Sequence, residues 1–268
     1  MKTSRIIALA ASLLLAAGCS FNFTGGVTVL GSCTENGCDY AEERETGEFR
    51  SIASFGPFNV HFIQSGRPRI LVEGTEESVS KLHTDVKDGE LQIRLEDGTY
   101  RELVLKVTVW APEVSSIRTS GSGDIIADSD IRFKGDLSLK SAGSGDIHMK
   151  TVSCDKLECK TAGSGDLYLG TISCSSFTSS TSGSGDLEMK SVRCDQLSSS
   201  VSGSGDISIS EALVSGRVEL RTAGSGDIHV NGRCDTVSAH SSGSGDISGR
   251  LEYRSADTGH SGSGRISL

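Results

Sequence analysis

Large aromatic side chains are scarce in this sequence: one Trp, four Tyr and eight Phe in 268 residues, with hydrophobic residues of all kinds making up 35%. A globular core of bulky side chains is hard to build from that stock, whereas a narrow core of Ile, Leu, Val and small residues is not. The single Trp also argues against an aromatic sugar platform. Positive charge is in deficit too. The formal net charge is −9, and loss of a leader carrying Lys2 and Arg5 lowers it by two, to −11. Such a surface repels phosphate backbones and anionic membranes, so no nucleic acid is expected as a partner. Catalytic signatures are missing as well: there is no GxSxG elbow, HExxH pair, P-loop or GxGxxG, and the six His are scattered. The outward positions of His148 and His229 read as solvated. No cofactor is called for, and the protein is expected not to be an enzyme.

What the chain has in abundance is glycine, and it has it in a period. GSGD begins at Gly121, Gly143, Gly163, Gly183, Gly203, Gly224 and Gly243, and GSGR at Gly262, with successive starts 22, 20, 20, 20, 21, 19 and 19 residues apart. A disordered Gly/Ser linker has no reason to keep such a spacing; a stacked solenoid does, because each repeat must present the same turn to its neighbour. After each corner stands Ile125, Ile147, Leu167, Leu187, Ile207, Ile228, Ile247 or Ile266. Two residues further come Ala127, Met149, Leu169, Met189, Ile209, Val230, Gly249 and Leu268, with a mostly polar residue between. That is the in–out–in alternation of a strand locked to the turn before it. A second apolar pair follows, as in Val152 and Cys154, and a third strand carries Leu157, Phe177, Leu197, Val218 and Val237. Three short strands in about twenty residues predict an all-β, parallel right-handed β-helix over 121–268. Glycine would supply positive φ at the corners, and Ser and Asp would bond locally to the freed backbone N–H groups.

Residues 48–120 lack the repeat but are rich in strand signals: FNVHFIQ, RILVEG, ELQIRLE and ELVLKVTVW. Asp88-Gly89 between two such runs predicts a two-residue hairpin. Only ESVSKLH could be a short helix. This segment is expected to pack on the solenoid or to continue it. Together, [AS]-G-S-G-D-[IL] in series after FGPFNVHFIQSGRPRILVEG resembles the GIN-domain family of autotransporter adhesin heads, over Glu48 to Leu268. The resemblance implies an exported, often lipid-anchored, solenoid-like protein with an adhesive role. No part resembles a translocator barrel, so the transporter half of an autotransporter is expected to be missing. Polysaccharide lyases and hydrolases on β-helices are the rival class, but they wall a groove with long loops. Repeats of 19 to 22 residues leave no room for such walls. A structural or signalling-associated envelope scaffold is the third reading.

The N-terminus reads as an export signal, with a basic start and an apolar run from Ile6 to Ala17. It closes on AAGC, which resembles a lipobox, although Ala16 stands where Leu is usual and Leu15 lies one place earlier. The expected organisation is a lipoprotein signal peptide over 1–18, lipidation at Cys19, and a tether over 19–47. The expected location is the cell envelope, on the outer membrane, facing a protein or glycan ligand. Of the other cysteines, Cys33 and Cys38 flank a Gly-containing turn and could close a disulfide; zinc is the weaker alternative. Cys154, Cys174, Cys194 and Cys234 share one coil position with Val214, which marks an inward apolar column of small hydrophobes. A bridge between neighbours such as Cys154 and Cys174 lies within Cα range.

If the register holds, Asp124, Asp146, Asp166, Asp186, Asp206, Asp227 and Asp246 form a row, ~4.8 Å apart. Neighbouring unit charges then repel by ~0.9 kcal/mol in water and ~3.5 at an effective dielectric of 20. Either the carboxylates accept N–H bonds and stay hydrated, which is the favoured reading, or the row holds hard cations. Arg265 falls one coil beyond Asp246, where it is expected to offset the repulsion.

Overall fold

The computed structural model describes residues 21–24, 27–30, 40–100 and 103–268. Its body is a β-solenoid in which two parallel ladders run the length of the stack. In the first, Ile125, Ile147, Leu167, Leu187, Ile207, Ile228, Ile247 and Ile266 pair in register from coil to coil. In the second, Leu137, Leu157, Phe177, Leu197, Val218 and Val237 do the same. The first seven of the Ile/Leu column are wholly buried. This is the predicted core.

Within a coil, the first apolar pair and the start of the second lie on one strand rather than two, as in Ile147–Ser153, which holds Ile147, Met149 and Val152 and ends just before Cys154. Met149 and Val152 both point inward, and pairing skips Lys150 between them. The chain therefore turns a corner inside the strand. The coil at Leu187–Val201 goes further and runs as one 15-residue strand.

The N-terminal segment continues the stack. Asn59–Gln64 pairs in parallel with both Ile125–Arg132 and Leu105–Ala111, and Ser51–Phe55 with both Ser116–Thr119 and Glu90–Leu95. Beyond these the pairing turns antiparallel: Arg69–Gly74 adds to Leu105–Ala111, and Tyr40–Arg44 adds to Arg69–Gly74. The predicted hairpin joins Leu82–Lys87 to Glu90–Leu95, with positive φ at Asp88 and Gly89. A five-residue helix, Glu76–Ser80, takes in the first four residues of ESVSKLH, and its Ser78 N–H is capped by the Thr75 side chain; Leu82 and His83 open the next strand.

The repeat was expected to be absent before residue 121, and here the structure corrects the sequence. Gly56-Pro57-Phe58-Asn59 is a degenerate first corner beneath Gly121–Asp124: Gly123 N–H donates to Gly56 O at 2.9 Å, and Asp124 N–H to Asn59 Oδ1 at 2.9 Å. Phe58 stands where later coils have the second Gly. Four residues before it, Ser54 Oγ is a buried side-chain oxygen without a hydrogen-bond partner.

Candidate binding face

The corners show what GSGD is for, and the reason is not the predicted one. Among the described residues, glycine takes positive φ at Gly89, Gly232 and Gly249, and at no GSGD corner. The corner glycines are required by close approach instead. A Cβ on Gly163 would lie 2.0 Å from Gly143 O, and one on Gly165 2.2 Å from Gly145 O. That proximity lets one carbonyl serve two donors: Gly143 O accepts the N–H of Ser164 at 2.9 Å and of Gly165 at 3.2 Å.

The aspartates also act between coils rather than locally. Oδ1 of each accepts the backbone N–H of its counterpart one coil on, from Asp124 to Asp146 at 3.0 Å through to Asp246 and Arg265 at 2.7 Å. One carboxylate oxygen per coil thus answers a backbone donor that no carbonyl reaches. Arg265 meets Asp246 through its backbone N–H; no ion pair joins its guanidinium to Asp246 among the described residues. Nor, among those residues, do three His, Cys, Asp or Glu side chains group so as to hold a metal.

This geometry sets an expectation. Millimolar calcium should leave the melting temperature unchanged, whereas Asp186→Ala, which strips the acceptor from Asp206 N–H, should cost about 1 kcal/mol. A calcium-dependent rise reversed by EDTA would make the row a cation site.

Two residues before six of the eight corners lies a buried hydroxyl that sequence reasoning missed: Thr119, Ser141, Thr161, Thr181, Thr222 and Ser241, with Val201 and His260 at the other two. Ser141, Thr181, Thr222 and Ser241 each donate to the carbonyl of the second corner Gly, at 2.8 to 3.0 Å. Thr or Ser at that place in most repeats was the available signal. The inward cysteines Cys154, Cys159, Cys174, Cys194 and Cys234 are free thiols. Burial pushes Cys154 up to about 12 and Cys159 well above the ordinary thiol range, so neither is poised as a nucleophile. A hydrogen bond between Cys174 and Cys194 raises the first and lowers the second. Cys19, Cys33 and Cys38 lie outside the described residues.

Outside the core, each coil repeats the same outward positions, so the surface is ruled into columns along the stack. One reads Ile126, His148, Tyr168, Glu188, Ser208, His229 and Ser248. His148 is not simply solvated: its ring stacks on Tyr168, centroids 4.8 Å apart and planes 12° from parallel. Tyr168 Oη donates to Asp166 Oδ2 at 2.7 Å, and that bond pushes the phenol up to about 12. His229, four coils on, contacts Ser248 and Asn231. On the second ladder a concavity of about 660 Å³ is bordered by Ser200, Arg221, His240, Gly259 and His260. A second, of about 330 Å³, lies beside Tyr168.

Comparison with known proteins agrees with this architecture. A family model described as "Putative auto-transporter adhesin, head GIN domain" matches residues 48–215 and 209–268. A crystal structure of a protein from Parabacteroides distasonis ATCC 8503, described as a putative lipid binding protein, is 26% identical. It aligns over 85% of this chain and 96% of its own, at a TM-score of 0.77. Two proteins described as putative adhesins, from Parabacteroides merdae ATCC 43184 and P. distasonis ATCC 8503, share the fold at 18% identity. Their TM-scores are 0.74 and 0.77, over 84% and 85% of this chain and 95% of each of theirs. No curated protein matches the chain.

Proposed function

Because this chain belongs to the GIN-domain family, with matches running from residue 48 to residue 268, we propose that it is an exported, lipid-anchored adhesive head that works without catalysis. The signal peptide delivers it, Cys19 carries the lipid that holds it to the outer membrane, and residues 19–47 tether the solenoid. The outward columns then meet a protein or glycan on an opposing surface. The observation that carries this reading is the outer face itself, where equivalent positions recur coil after coil between backbone ladders in fixed register. Weak contacts repeated on one rigid body add as avidity rather than as a single tight site.

The relative described as a lipid binding protein raises a second ligand class. Here the interior is filled by the Ile, Leu, Val and Phe columns, so a lipid would have to lie on the outer surface.

The test compares cells that display the full chain with cells that lack it, on glycoprotein-coated surfaces. Displaying cells should be retained more strongly, and equal retention would sink the adhesive reading. Cys19→Ser should move the protein out of the membrane fraction and abolish the gain in retention. A Cys19→Ser protein that still sediments with membranes would remove the lipid anchor from the proposal.

A further inference from the structure

We propose that the notch beside Tyr168 is a subsite for one neutral pyranose sugar, an inference that rests on the adhesive function above and names its ligand class. The scarcity of Trp argued against an aromatic platform, but the coil register builds a small one from residues twenty apart. His148 covers one side of the Tyr168 ring, and the bond to Asp166 Oδ2 fixes its hydroxyl. The ring is therefore held in place before any ligand arrives, and little side-chain freedom is left to lose on binding.

On the side away from His148, the following coils carry Glu188 and Ser208 in the same column, with Gly170, Lys190 and Ser210 in the column alongside. These residues border the cavity of about 330 Å³, the lower end of the ~300–1,000 Å³ typical of small-molecule sites. Gly170 keeps the notch open. A Cβ there would sit 2.1 Å from Lys150 O, so the stacking of the coils excludes a side chain.

The functional groups match a sugar. The tyrosine ring offers an apolar face to the C–H face of a pyranose. The Glu188 carboxylate accepts hydroxyl protons, the Lys190 ammonium donates, and Ser208 and Ser210 do either. The neighbouring corner row decides the charge. Asp166, Asp186 and Asp206 run beside the notch on a chain of net charge −9, so sialylated and uronate-bearing glycans are disfavoured.

The experiment uses the full chain in detergent micelles on an array of neutral hexose-terminated oligosaccharides and their sialylated or uronate-bearing counterparts. Neutral members should bind and acidic ones should not. Tyr168→Ala should weaken binding at least about fivefold, and Tyr168→Phe, which keeps the ring, should retain most of it. Tyr253→Ala, at an exposed tyrosine outside the notch, should change nothing. Melting curves confirm that each variant is folded. A blank array, undiminished binding by folded Tyr168→Ala, or preference for acidic glycans overturns the proposal. A blank array alongside retention of displaying cells would overturn the sugar site alone and leave the adhesive reading standing.

Discussion

Leu187→Asp is expected to unfold the middle of the solenoid, while Glu188→Ser, one residue away, leaves stability within about 0.5 kcal/mol. Leu187 is wholly buried and pairs in register with Leu167 below and Ile207 above. Replacing it forfeits about 1.5–3 kcal/mol of apolar burial. It also places a carboxylate between Leu167 and Ile207 in the buried column, which costs several kcal/mol more unless the group is protonated. Glu188 points outward and is exposed. Each coil touches only its neighbours, so damage at one level separates the stack into two shorter ones. Thermal melts of the two variants check this. Equal shifts would falsify the assignment of inward and outward positions.

That register was legible because the corner recurs. Once GSGD is aligned, every inward column follows from counting, and Asp88-Gly89 likewise announces its own hairpin. The degenerate corner at Gly56–Asn59 was hidden because Pro57 and Phe58 replace Ser and Gly, leaving only Ser54, Gly56, Asn59 and Val60 to match Thr119, Gly121, Asp124 and Ile125. The role of the corner residues was misassigned for a different reason. Positive φ and local side-chain bonds are properties of a single turn, whereas the close carbonyl contacts and the Asp-to-N–H bonds exist only between turns. The Tyr168–His148 pair belongs to the same class. Nothing in either local sequence marks it, and it forms only because two outward positions are stacked.

The same distinction between a turn and a stack of turns yields the other large expected effect. Gly185→Ala should destabilise the protein by at least the upper part of the about 1–3 kcal/mol range for overpacking, whereas Gly66→Ala should be neutral or slightly stabilising. A Cβ at Gly185 would stand 2.1 Å from Gly165 O and 2.9 Å from Gly165 C, while one at Gly66 would meet nothing within 4 Å. The obstacle is backbone, so no side chain can rotate aside. Relief requires the two coils to part, and the bonds they share at this corner part with them: Ser184 N–H and Gly185 N–H to Gly163 O, and Asp186 N–H to Asp166 Oδ1. If glycine were there for positive φ, the strain would stay within one turn and those intercoil amides would keep their protection. Amide hydrogen exchange on Gly185→Ala therefore separates the two explanations. Loss of protection at Ser184, Gly185 and Asp186 together is the expected outcome. Protection retained there, alongside a lowered melting temperature, would return the glycine to a purely local role.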